Sequence, residues 1–169
     1  MIWWLRWRHG KQAAATPLAP MYSQSLPAMS QRFLDSECLA LDFETTGLDP
    51  ARDRILSIGW VLLQGDRICL RESGHLLVNS GSESVGQSAT VHGLVDADVA
   101  AGVSVAEALA ILLPLLVGRV LIAHCAVIEV EFLSRACRAL YGVPPLLRVV
   151  DTLAIEVQLR SHEHDPEGA

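Results

Sequence analysis

No apolar run in this chain is long enough to cross a bilayer. The longest, Ala108 to Val117 in "ALAILLPLLVG", contains Pro114, whereas a spanning helix takes about 20 apolar residues. Yet 51% of the chain is apolar and its mean hydropathy is +0.33, so the apolar residues point to a very apolar α/β core. The opening MIWWLRWRHG lacks the continuous hydrophobic stretch of a secretory signal, because Arg6 and Arg8 interrupt it. Zinc-type spacing is missing too. Cys38, Cys69, Cys125 and Cys137 form no CxxC pair, and they read as small buried hydrophobes of a reducing, cytoplasmic compartment. No internal repeat divides the chain.

Acids are absent from residues 1–33, which hold Arg6, Arg8, Lys11 and Arg32 and sum to +4. The other 136 residues carry nine Arg against nineteen acids, a sum of −10. A domain this acidic does not grip phosphates by bulk charge. If nucleic acid is its partner, local positive charge must come from elsewhere, and bound metal is the obvious source.

At 169 residues the chain reads as one domain with a real core. Residues 1–34, basic and aromatic and then rich in Ala, Pro, Ser and Gln, are expected to be a flexible segment. A basic–aromatic tether for a membrane surface, nucleic acid or a partner is the other reading, and Met21 and Met29 offer later start points. Residues 35–160 show regular patterning. CLALDF reads as a strand, and RILSIGWVLLQ and RICLRESGHLLV flank the turn at Gly65 as a hairpin. SVGQSATVHGL reads as a short helix and loop. Ser104 and Glu107 form a capping box that opens an apolar helix. RVLIAH is a buried strand, a helix runs from about Ala126 to Tyr141, RVVD is a strand, and TLAIEVQLR begins another helix. Residues 161–169 read as a frayed tail. This order implies a mixed sheet with helices packed on it.

The chemistry starts at "LALDFETTGLDP". Strand side chains alternate, so Asp42 and Glu44 share one face, about 7 Å apart, with Phe43 opposite. Two like charges in an apolar setting repel unless a proton or a cation neutralises them. An exposed strand end with two solvated acids fits the spacing equally well. The second feature is a helical wheel over residues 128–140. Phe132, Leu133, Ala136, Ala139 and Leu140 form an apolar stripe, and Glu131, Ser134, Arg135 and Arg138 face away. Glu129 falls in the middle of the stripe. It either caps its helix beside the incoming strand or meets a cation shared with Asp42 and Glu44.

"LALDFETTGLDP", "TVHGL", "LIAHCAVIEVEFL" and "VVDTL" resemble, in order and approximate spacing, the DnaQ-like (DEDD) 3′–5′ exonucleases. That family includes the epsilon proofreading subunit of bacterial DNA polymerase III and ribonuclease T. The likeness runs from about Cys38 to Arg160. It implies a ribonuclease-H-like α/β fold and hydrolysis of phosphodiester bonds at 3′ ends of single-stranded DNA or RNA. It also implies two Mg²⁺ or Mn²⁺ ions held by carboxylates. Residue by residue, it implies Asp42, Glu44 and Glu129 as catalytic metal ligands. Thr45, Thr46 and His92 would lie beside the terminal nucleotide, and a DNA polymerase or a second copy of the chain would be a partner. A non-catalytic nucleic-acid-binding or polymerase-associated module is the competing class.

The sequence departs from the family pattern at several points. Glu129 stands where the family usually has Asp, Cys125 where it has Asn, and Gln87 where the epsilon subunit has Glu. The last family motif, a general-base His and a fourth Asp on an apolar helix, has no counterpart. His162 to Ala169 is polar and contains Pro166, so His162 and His164 are poor substitutes. Asp151 reads as the cap of the helix that follows it. A truncated form of a longer enzyme is the expectation, and a nucleic-acid-binding remnant or a site completed by a partner chain stay open.

Overall fold

The computed structural model describes residues 2–79, 81 and 101–164, with side chains up to Ser161. His92, Gln87 and the helix expected within SVGQSATVHGL lie outside the described residues. Among the described residues a six-stranded mixed sheet has the order β4-β3-β2-β1-β5-β6. Its strands are β1 (Glu37–Thr45), β2 (Ile55–Gln64), β3 (Arg67–Asn79), β4 (Val103–Ser104), β5 (Val120–Ala123) and β6 (Arg148–Asp151). The first three form an antiparallel meander. β5 and β6 then run parallel to β1, Leu39 opposite Leu121 and Leu121 opposite Val149. β4, a two-residue strand beside Val78 and Asn79, is an addition to the expected order.

Three helices follow the meander. α3 (Val105–Leu116) begins with the expected capping box, Ser104 Oγ accepting from the Glu107 N–H. Leu109, Leu112, Leu113 and Leu116 bury one side of it. α4 (Val127–Tyr141) ends at Gly142, whose left-handed φ of 74° suits glycine. α5 (Thr152–His164) runs four residues past Arg160. Residues 161–164, expected to be part of a frayed tail, are therefore helical. No proline interrupts the helix before Pro166, and Arg160 pairs with Glu156 one turn back. No helix among the described residues is long and apolar enough to cross a membrane.

Leu39, Leu41 and Phe43 of β1 meet Leu109, Leu112, Leu113, Phe132 and Leu133 in one buried cluster. The stripe on α4 is narrower than the wheel predicts. Glu129, Phe132, Leu133 and Cys137 are buried, while Ala139 and Leu140 are exposed near the end of the helix. The cysteines divide as well: Cys38 and Cys137 are buried, but Cys69 and Cys125 are only half-buried.

The first residues differ most from expectation. In place of a flexible segment, α1 (Ile2–Ala13) and α2 (Ala19–Ser23) pack on the domain. Ala13 and Leu18 are fully buried, and Met21 and Tyr22 nearly so. The Arg6 guanidinium donates to the carbonyls of Tyr22, Met21 and Gln24 at the open end of α2, satisfying groups that a helix terminus leaves without partners. The Tyr22 hydroxyl donates to the Pro144 carbonyl at 2.8 Å, and the Gln12 amide to the Tyr141 carbonyl at 3.2 Å. The Ala- and Pro-rich composition suggested a loop. Burial of Ile2, Leu5 and Ala13 at helical spacing outweighs it.

Candidate active site

The carboxyl ends of the parallel strands β1, β5 and β6 lie side by side, where open α/β sheets bind ligands. Asp42 and Glu44 lie near the end of β1, His124 follows β5, and Asp151 closes β6. The first turn of α4 brings Glu129 to the same place.

On β1 the expected alternation holds. Phe43 is buried, Asp42 is exposed and Glu44 is half-buried. Beyond them the strand bulges between Glu44 and Thr45 and turns tightly. Here the two threonines hold the turn together. Thr45 Oγ1 donates to the Gly47 carbonyl at 2.7 Å, and Thr46 Oγ1 to Asp53 Oδ1 at 3.1 Å. The Arg54 N–H donates to Thr46 Oγ1, and the Asp49 N–H to Asp53 Oδ2. A Cβ at Gly47 would sit 2.5 Å from Asp53 Oδ2, so a larger residue there would push this carboxylate away from its place under the turn. The T-T-G part of the motif thus shapes the loop that follows the acids.

Glu129 is 3% exposed, and its Oε2 meets no hydrogen-bond partner. Burial pushes its pKa up. The backbone N–H groups of Glu129 and Phe43 pull it down, and the charges of Asp42 and Asp151 push it up again. The carboxyl therefore lies against the β1 backbone at Phe43, within the field of Asp42. A buried carboxyl oxygen without a donor is costly unless a proton or cation meets it. Beside Asp42, a hollow of about 370 Å³ is lined by Ala40, Leu41, Gly59, Trp60, Val61 and Gly74.

Asp151 is occupied as a cap, and it caps two helices. Its Oδ1 accepts from the N–H groups of Cys125 (3.1 Å) and Leu153 (3.0 Å), and its Oδ2 accepts from the Ala126 N–H (3.1 Å). Desolvation raises its pKa, but the N–H groups of Leu153, Ala154, Ala126 and Cys125 together outweigh it and hold the carboxyl below its ordinary value. One carboxylate thereby joins the starts of α4 and α5. The sequence predicts the cap on α5; the tie to α4 depends on two loops meeting in space. His124 Nδ1 lies 3.1 Å from the Thr152 hydroxyl, a second link between the same loops.

Among the described residues, no three His, Cys, Asp or Glu side chains converge as a metal-ligating group. The structure brings Asp42 and Glu129 into mutual influence but does not gather Asp42, Glu44 and Glu129 into one ligand cluster. Like charges separate when nothing lies between them, and Asp151, whose charge also acts on Glu129, is taken up by backbone donors. The donor chemistry still fits a hard divalent cation, since it is all carboxylate oxygen and includes a buried oxygen lacking a partner.

The family model for exonucleases matches residues 39–164. The chain belongs to the exonuclease family. Its sequence is 32% identical over 136 residues to the DNA polymerase III PolC-type protein of Thermotoga maritima, covering 79% of this chain and 10% of that protein. It is 37% identical over 98 residues to a DNA polymerase III subunit epsilon-like protein of Rhodobacter capsulatus, covering 57% of this chain and 14% of that protein. The chain thus spans between a tenth and a seventh of the length of these relatives. In fold, this exonuclease domain is similar to E. coli exonuclease I, solved as a metal-free complex with single-stranded DNA. The TM-score is 0.65 at 18% identity, over 79% of this chain and 31% of that one. The ribonuclease-H-like mixed sheet expected from the motifs is the fold of this chain.

Proposed function

We propose that this exonuclease domain removes nucleotides from the 3′ ends of single-stranded DNA or RNA, with Asp42, Glu44 and Glu129 holding Mg²⁺ or Mn²⁺. The observation that carries the reading is the buried Glu129 carboxyl, one oxygen unpartnered, held against the Phe43 N–H in the field of Asp42. Bound divalent cations would supply activation of water and stabilisation of charge at phosphorus and at the leaving 3′-oxygen. The chain's own residues do the rest. β1 presents Asp42 and Glu44 on one face, and α4 supplies Glu129 from its first turn. The Thr45–Gly47 turn and the hollow beside Asp42 flank the place where a terminal nucleotide would lie, and His92 is proposed to contact it. The names of the polymerase III relatives and the single-stranded DNA in the exonuclease I complexes support nucleic acid as substrate and a DNA polymerase as partner.

The competing reading, a non-catalytic nucleic-acid-binding or polymerase-associated module, has one observation in its favour. Among the described residues no three His, Cys, Asp or Glu side chains converge as a metal-ligating group. Mg²⁺ or Mn²⁺ added to the purified chain with a 3′-labelled oligonucleotide separates the two. The enzyme reading expects mononucleotide release that Asp42→Ala abolishes, and equal traces for wild type and Asp42→Ala reject it. Calorimetric Mn²⁺ binding without turnover favours the module.

A further inference from the structure

The face of α1 that turns away from the core is aromatic and basic. Trp3 is 77% exposed and Trp7 74%, one helical turn apart, and Trp4 is 46% exposed. The Arg8 guanidinium lies over the Trp4 ring, 5.0 Å from its centroid. Lys11 is exposed a turn beyond Trp7. On the wheel, Trp3, Trp4, Trp7, Arg8 and Lys11 fall within about 140° of arc, opposite Ile2, Leu5 and Ala13, which face the core. Core packing gives no reason for this composition, because the residues that anchor α1 are on its other side. Three tryptophans left in water are an unusual exposure.

We propose that this face is a second docking surface for single-stranded nucleic acid, one that holds the strand at a distance from its 3′ end. The proposal rests on the reading of the site given above. Charge complementarity selects this occupant. The chain from residue 34 onward sums to −10 and repels a phosphate backbone, while residues 1–33 sum to +4 with no acid. α1 therefore offers phosphates Arg8 and Lys11 in a segment without acids, whereas the rest of the domain is acidic on balance. Its exposed rings add the flat faces on which successive bases stack regardless of sequence. Position fits as well. Gln12, at the end of α1, is bonded to Tyr141, fourteen residues C-terminal of Val127 on α4, whereas Glu129 lies in that helix's first turn. The two ends are about 20 Å apart. α1 thus meets the domain at the end of α4 remote from Glu129, so a strand must run past the catalytic end to reach it, whereas a very short one engages the catalytic end alone.

The test is fluorescence anisotropy of 5′-labelled oligothymidylates of about 4 and about 20 nucleotides, bound to the whole chain in EDTA. Wild type should bind the longer strand more tightly, with quenching of tryptophan emission. Trp3→Ala/Trp7→Ala and Arg8→Ala/Lys11→Ala should each weaken the longer strand about tenfold or more and leave the shorter one unchanged. Matching far-ultraviolet circular dichroism and melting would show that α1 stays folded in the variants. Equal affinity of wild type and both variants for the longer strand overturns the proposal. Binding of wild type to phosphatidylserine vesicles but not to the longer strand also overturns it and makes α1 a membrane contact. Mononucleotide release in Mg²⁺ is scored separately, so the exonuclease reading can fail or stand whichever way α1 behaves.

Discussion

The Glu129 carboxyl rests against the backbone N–H of Phe43, one residue past Asp42, and the Asp42 charge acts on it there. This contact joins the first turn of α4 to the strand that carries the other two acids. It also sets a stability that depends on pH and on cations. The Glu129 pKa is raised in the fold, chiefly by burial. Its contribution is therefore fully present below the ordinary carboxylate pKa and is lost as pH rises through the raised value. Glu129→Gln should melt higher than wild type in EDTA at pH about 8, and the difference should shrink toward pH about 4. Mn²⁺ should raise the melting temperature of wild type and not that of the variant. A variant that melts lower than wild type at the higher pH would show that the charge is already compensated within the protein.

Asp42→Ala removes an exposed carboxylate at the end of β1 and the repulsion it exerts on Glu129. The fold should keep its melting temperature or gain slightly in EDTA, while mononucleotide release in Mg²⁺ falls to the level of the protein-free control. The loss of activity would then be chemical. A matching fall in melting temperature would make the residue structural and weaken its assignment to the site.

Most of the fold from β1 onward was legible, because each element carries its own local signal. β1 alternates burial at Leu39, Leu41 and Phe43, Gly65 marks the hairpin, Ser104 with Glu107 announces α3, and Gly142 closes α4. Glu129 stood out because a carboxylate in an apolar stripe breaks the pattern around it, and it is buried as the wheel requires. Two classes of feature were not legible. The first is α1 and α2: Ile2, Leu5 and Ala13 carry a helical repeat, but Trp, Ala and Pro in the same segment obscured it. The second is anything that arises where loops meet. The joining of two helix starts by Asp151 and the use of the Thr45 and Thr46 hydroxyls inside their own turn depend on residues distant in sequence or on a bulge, and neither has periodicity.

The two N-terminal helices are part of the folded domain, and Leu18 tests this directly. It is fully buried in the main cluster. Leu18→Ala should cost about 2–5 kcal/mol in urea unfolding, and Tyr22→Phe about 1–3 kcal/mol because the Pro144 carbonyl loses its donor. Unfolding curves indistinguishable from wild type for both variants would show that these residues form no cooperative unit with the sheet.

Asp151 is bound by N–H groups from the start of both α4 and α5, and its depressed pKa gives the sign of its effect. The stability it supplies is present above the ordinary carboxylate pKa and is lost as pH falls through the depressed one. Asp151→Ala should lower the melting temperature at neutral pH and make the chain less sensitive to acid. Asp151→Asn keeps one acceptor oxygen and should fall between wild type and Ala. If Ala and Asn are equally mild, backbone capping at this point is dispensable.

Cys125 has a φ of 60°, the left-handed region, and it is the only non-glycine residue there among the described residues. The bend it makes lets its own N–H and that of Ala126 both point at Asp151. A side chain with a Cβ pays about 1–2 kcal/mol for that conformation, and asparagine tolerates it better than most because its amide can bond to the local backbone. The family pattern has asparagine at this position. Cys125→Asn keeps the N–H that Asp151 accepts and should stabilise the chain by up to about 1 kcal/mol in urea unfolding, with the dependence on urea unchanged. In an Asp151→Ala background the gain should be smaller, since the bend then holds nothing in place and can relax. Destabilisation by Cys125→Asn would instead mean that the half-buried thiol packs well enough to outweigh the strain of its backbone.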